Sequence, residues 1–267
     1  MKRRAFLKTS LAASALASVS QSDIPAAAAE SSGVANREVY ELRAYRLKSG
    51  GSRELLDGYL EKAAIPALNR LGVKTVGVFN EIEPKDSLAV WLLVPYPSLE
   101  SFSTAVSRLS DDPEYQKAGA QYLQTPKDSP AFERIDSWLL LAFSGLPRLE
   151  LPVFSRERKP RIFEMRTYES HSELKALKKV DMFNSGEIDV MREVGLGPVF
   201  YGQALVGRDL PHLTYMLSAE DRDAHKKHWG GFGKHPVWNK LNKDPLYADT
   251  VSKITSRFLE PTAYSQI

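Results

Sequence analysis

The sequence repeats itself. Val39-Tyr40-Glu41-Leu42-Arg43-Ala44-Tyr45 returns 123 positions later as Ile162-Phe163-Glu164-Met165-Arg166-Thr167-Tyr168. The same offset carries Gly72 onto Gly195, Pro113 onto Pro236, Tyr115 onto Trp238 and Lys117 onto Lys240. One offset joining landmarks so far apart makes the chain two copies of one unit, and the fold must house both.

Each copy reads β-α-β-β-α-β. In the first, residues 38–47 alternate as a strand, and Gly50-Gly51-Ser52 turns the chain and caps a helix. Leu56, Leu60, Ala63, Ala67 and Leu71 form one apolar helical face that Gly72 ends, with Pro66 expected to kink it. Residues 73–82 and 88–94 read as strands joined by Glu83-Pro84-Lys85-Asp86, Ser98 starts a second helix, and residues 132–143 give the last strand. The second copy repeats the order with a helix near 174–194, strands near 198–206 and 213–217, a helix after Glu220 and a strand near 251–259. The domain reading is 1–29 as an export signal, 30–146 and 161–267 as the two units, and 147–160, rich in proline and charge, as a linker.

Alternation puts Glu41, Arg43 and Tyr45 on one face of their strand, and Leu42 and Ala44 on the other. Residues 88–94 and 138–141 are continuously apolar, as in strands buried on both sides. The fold class is therefore α+β: two tandem βαββαβ units whose antiparallel sheets pack face to face around a barrel-like interior. In this reading Leu42 and Met165 lie under helices, and the Glu/Arg/Tyr faces line the barrel interior.

The N-terminus carries Lys2-Arg3-Arg4-Ala5-Phe6-Leu7-Lys8, a weakly apolar stretch over 11–19 and a run of alanines at 26–29. This resembles a twin-arginine (Tat) signal, which implies export to the periplasm or medium. Cleavage after Ala29 would remove four basic residues and one acidic one, leaving 32 of each from the original 36 and 33. A neutral mature chain has no electrostatic footprint for nucleic acid. No cysteine is present, which excludes disulfides and thiol chemistry. No apolar run is long enough to span a membrane after the signal.

The motifs Tyr40-Glu41-Leu42-Arg43-Ala44-Tyr45 and Phe163-Glu164-Met165-Arg166-Thr167-Tyr168, with Asp112-Pro113-Glu114-Tyr115 and His235-Pro236-Val237-Trp238, resemble the NIPSNAP family of the dimeric α/β-barrel superfamily. The resemblance covers both halves and implies tandem ferredoxin-like units closing into a barrel, within one chain or with a second copy as a homo-oligomer. His235 stands where the family has aspartate, Val237 where it has glutamate, and Tyr115 where it has tryptophan. The wider superfamily includes cofactor-free monooxygenases and haem-binding enzymes.

Candidate ligand-binding residues are Glu41, Arg43, Tyr45, Glu164, Arg166 and Tyr168. Their functional reading is an anion or carboxylate clamp, and the alternative is a structural ion pair that fixes strand register. Trp229, Phe232, His235 and Trp238 form an aromatic segment that could meet a partner protein in the cell envelope. His225 and His228 share a helical face as weak candidates for metal or haem, although Gly230, Gly231 and Gly233 should interrupt that helix. The functional expectation is an exported protein that binds a small organic ligand or a partner. The alternative is a cofactor-independent or haem-dependent oxidoreductase.

Overall fold

Eight strands hydrogen-bond edge to edge until the sheet meets itself. In this computed structural model, residues 36–47, 53–84 and 88–267 are described; the residues read as an export signal, the glycine turn at 50–52 and part of the first hairpin turn lie outside them. The first unit supplies β1 (Val39–Arg46), β2 (Gly77–Ile82), β3 (Ala89–Tyr96) and β4 (Arg134–Ala142). The second supplies β5 (Ile162–Glu169), β6 (Gly197–Val206), β7 (His212–Ala219) and β8 (Lys253–Pro261). The antiparallel order β1-β3-β2-β8-β5-β7-β6-β4 closes on itself. Each unit keeps the ferredoxin-like order, and the units join where β2 pairs with β8 and β4 with β6. The two sheets thus face each other across the interior and share hydrogen bonds at both edges.

The helices also repeat. α1 (Arg53–Tyr59), a π turn (Leu60–Ala64) and α2 (Ile65–Arg70) match α6 (Glu173–Met182), a π turn (Phe183–Glu187) and α7 (Ile188–Glu193). Pro66 sits in the first turn of α2, where its missing N–H costs little after a widened turn. The second copy has Asp189 there and keeps the π turn, with Gly186 at φ +135°, so the wide turn belongs to the unit and not to proline. Gly72 and Gly195 end both helices in the left-handed region, at φ +93° and +90°. α3 (Leu99–Ser110) and α8 (Arg222–Lys234) are capped by Ser98 and Asp221. α4 (Pro113–Leu123) and α9 (Pro236–Lys243) are capped by Asp112 and His235. At this cap an imidazole Nδ1 does the work of a carboxylate, accepting the Val237 N–H at 3.3 Å.

Side-chain parity corrects one expectation. Tyr40, Leu42, Ala44, Phe163 and Met165 pack with Leu140, Phe200 and Leu259 in the barrel interior. Glu41, Arg43, Tyr45 and their repeats Glu164, Arg166 and Tyr168 alternate with them and face the helices. An eight-stranded barrel leaves only enough inner room for side chains to fill, so the interior takes apolar and small residues. The ionic residues fall in the looser layer between sheet and helices. β3 is buried along its whole length, as expected, whereas β4 is buried only at Asp136, Leu140 and Ala142.

Two further expectations are revised. α8 runs unbroken through Gly230, Gly231 and Gly233, held by the Asp221 cap and by Phe232 packed into the second unit's core. Residues 147–160 are no slack linker. They include α5 (Val153–Arg156), while Leu149 and Leu151 join Ile267 in packing against the barrel core. Ile267 is wholly buried and its carbonyl accepts from Arg161 at 2.7 Å. Ile267→Ala should therefore lower unfolding free energy by about 2–5 kcal/mol, measured by denaturant titration.

Candidate functional site

Both units build the same core motif from the strand upward. In the first, Glu41 accepts from Arg43 at 2.5 and 2.9 Å and from the Ser137 hydroxyl at 3.2 Å. In the second, Glu164 accepts from Arg166 at 2.7 Å and from Ser256 at 2.5 Å. Each arginine also reaches the tyrosine two residues on, Arg43 to Tyr45 at 3.4 Å and Arg166 to Tyr168 at 3.2 Å. Spacing by two along a strand places all three side chains on one face, which is why the pattern was readable.

Above these motifs the units diverge. In the first, Tyr59 stacks on Tyr122 with centroids 3.8 Å apart and meets the Tyr115 hydroxyl at 2.9 Å. In the second, a cleft of about 440 Å³ opens between sheet and helices, walled by Arg166, Tyr168, Lys179, Glu187, Trp229 and Trp238. Lys179 and Glu187 form an ion pair at 2.7 Å with side chains only 5% and 2% exposed. Lys179 also lies over the rings of Phe183 and Trp238, at 4.6 and 5.5 Å. Burial pushes the Glu187 carboxyl up, against the pull of Lys179.

The 123-residue offset shows what the second unit changed. Leu56 and Ala64 correspond to Lys179 and Glu187; Val78 and Leu92 correspond to Tyr201 and Tyr215. Four buried apolar residues have become polar or charged. Tyr215 meets Tyr168, hydroxyl to hydroxyl, at 2.8 Å, and burial pushes both phenols up, so they stay protonated. Packing alone does not require such a set, because the first unit fills the same positions with apolar residues at lower desolvation cost. Residue-by-residue reading did not mark Lys179, Glu187, Tyr201 or Tyr215 as site residues. Comparing the two copies for apolar-to-ionic changes would have found all four.

The remaining candidates contribute unequally. His225 is buried on the inner side of α8 with its Nε2 2.8 Å from Glu164, and Trp229 Nε1 donates to the same carboxylate oxygen at 3.0 Å. Burial alone would raise the Glu164 carboxyl, but His225, Arg166 and Ser256 outweigh it and hold it at about 2. His228 packs its ring against Gly195 instead. The two histidines therefore do not converge, and among the described residues no cluster of three or more His, Asp or Glu is disposed to hold a metal. Trp229, Phe232 and Trp238 turn inward and pack on one another, at 5.1 and 4.5 Å, forming a wall of the cleft and not an outward patch. His235 stays at its cap and meets Glu193 at 3.0 Å.

The NIPSNAP sequence profile matches residues 40–144 and 163–266, both halves of the barrel. This chain belongs to the NIPSNAP family. A NIPSNAP family protein from Agrobacterium tumefaciens is 18% identical over 40% of this chain and 91% of its own, with a TM-score of 0.37. Across the whole barrel the chain is similar to a "putative monooxygenase" from Fusobacterium nucleatum, with 10% identity, 84% of this chain and 92% of that one covered, and a TM-score of 0.56. A protein of the same description from Lactobacillus acidophilus gives 6% identity, 84% and 94% coverage, and a TM-score of 0.53. At such identity the likeness is one of fold. No curated protein matches the sequence. Among the described residues of this NIPSNAP protein, no helix is long and apolar enough to cross a membrane.

Two predictions test the site's electrostatics. Lys179→Leu alone should destabilise by about 3–5 kcal/mol because Glu187 is left buried and unpaired, whereas Lys179→Leu with Glu187→Ala, the first unit's residues, should be neutral or stabilising in denaturant titrations. Glu164 has a depressed folded pKa, so its contribution is complete above its unfolded value near 4.5 and disappears as pH falls towards about 2. Glu164→Gln should therefore cost on the order of 3 kcal/mol at pH 7, with the gap to the parent protein closing between pH 4.5 and 2.

Proposed function

We propose that this NIPSNAP protein is an exported binding protein that takes a small organic molecule into the sheet–helix cleft of its second unit. The observation that carries this reading is the divergence of the two copies. One scaffold is filled by stacked tyrosines in the first unit, and opens in the second onto a cleft walled by Trp229, Trp238 and the Lys179–Glu187 pair. An aromatic wall with a few buried polar groups is the usual construction of a small-molecule site. Arg166 lies over the Trp229 ring at 4.9 Å, so a planar ligand against this wall would also meet a cation.

The twin arginines at 3 and 4 support export, with the mature protein working in the periplasm or medium. A haem ligand at His225 does not fit this arrangement. Its Nε2 is committed to Glu164, and its Nδ1 is buried.

The test is a thermal-shift screen of small organic compounds against the parent protein and the Lys179→Leu/Glu187→Ala double variant. Compounds that stabilise the parent should lose that effect in the double variant, which folds but carries the first unit's residues. Hits that stabilise both equally would place the site elsewhere.

A further inference from the structure

The barrel is closed at one end and open at the other. Leu149, Leu151 and Ile267 pack into the core near the start of β1. Around the end of β1 and β5 the inner face holds a cavity of about 170 Å³, with Leu42 and Met165 among its apolar lining. A single water needs about 10–15 Å³, and a cavity of roughly 150 Å³ admits benzene. The space suits one aromatic ring. It lies on the opposite face of the sheet from the cleft, since Met165 alternates with Glu164 and Arg166.

Its walls are not alike. On the first unit's side, Trp91 and Trp138 stack with centroids 5.9 Å apart and planes at 22°. Gly207, at φ +147°, packs closely on Trp138 at Cδ1, and a Cβ there would overlap the ring. That close approach fixes the indole in the wall. Beside it, Asp136 accepts from Arg46 at 2.9 Å and from Arg208 at 3.2 Å. Burial would raise the Asp136 carboxyl, but the two guanidinium groups outweigh it and hold it lower, so it stays ionised. One carboxylate between two guanidiniums leaves one positive charge next to the tryptophans. Each guanidinium has five N–H donors, of which Asp136 takes one.

Elsewhere at the mouth Glu169 pairs with Lys253 and Glu81 with Arg257, both at 2.7 Å, and Asp209 adds an exposed acid on the turn, so the surplus positive charge is local to the Arg46–Asp136–Arg208 side. His212 is buried, which lowers its pKa and keeps it neutral, and its Nε2 has no hydrogen-bond partner. The duplication again supplies the control: Arg46 corresponds to Glu169, and Trp91 to Thr214. Barrel closure alone makes no demand for an indole pair and a surplus guanidinium on one side.

We propose that the barrel mouth is a second binding site, taking a small single-ring aromatic carboxylate with its ring against Trp138, which Trp91 backs, and its carboxylate on Arg46 and Arg208. Aromatic contact with the indole and charge-assisted N–H donation to a carboxylate supply shape and charge recognition together. The site is independent of the cleft reading and stands or falls separately.

Calorimetric titration of the purified protein with benzoate, benzamide and benzylamine tests it. Benzoate should bind, benzamide about tenfold more weakly for want of the charge-assisted bonds, and benzylamine no better than benzamide. Arg208→Glu, at a side chain that is two-thirds exposed and so leaves the fold intact, should weaken benzoate by about tenfold or more. Trp138→Leu should weaken it as well, while Lys179→Leu/Glu187→Ala in the cleft should leave benzoate affinity unchanged. No benzoate binding in the millimolar range, equal binding of benzamide or benzylamine, or loss on the cleft substitutions alone would overturn the proposal.

Discussion

Closure of the sheet governs everything else in this molecule. Once β2 pairs with β8 and β4 with β6, neither unit has a free edge, and every strand must show one face to a narrow interior. The interior accepts Tyr40, Leu42, Phe163 and Met165, and the helices receive the other parity. Closure also explains why a stretch with linker composition is ordered. Residues 147–160 must cross one end of the barrel, where Leu149 and Leu151 find apolar cover beside Ile267.

Duplication then provides an internal comparison. Both copies keep what the fold needs: a Glu–Arg pair in the first strand, a π turn, a left-handed glycine after the long helix and an N-cap before each later helix. They differ where the fold is indifferent. The first unit fills its sheet–helix layer with tyrosines; the second carries a buried ion pair, paired phenols and an open cleft. A buried ion pair adds little stability over apolar residues of similar volume, so its presence in one copy alone marks that copy as the specialised one.

Much of the fold was legible because it is periodic. The offset located both units, alternation located the strands, and Gly72, Ser98 and Gly195 marked helix ends. Parity showed that Glu41, Arg43 and Tyr45 share a face, but it could not say which face looks inward, since the helix-facing side is also heavily apolar, as Val90, Leu92 and Val94 show. Gly230, Gly231 and Gly233 misled because tertiary packing of Phe232 and the Asp221 cap override a weak helix propensity. In the sequence Lys179 is one more helix charge beside Lys175 and Lys178, and only the depth of its helix face against the sheet distinguishes it. The barrel mouth was illegible for a related reason: Arg46 on β1, Trp138 on β4 and Arg208 in the turn between β6 and β7 are far apart in sequence, and closure brings them together.

The claim that the two units share one closed barrel is tested most directly by differential scanning calorimetry. A barrel without free edges between its units predicts one cooperative transition, with calorimetric and van't Hoff enthalpies equal. Two separable transitions, each with about half the total enthalpy, would contradict it and with it the assignment of inner and outer faces.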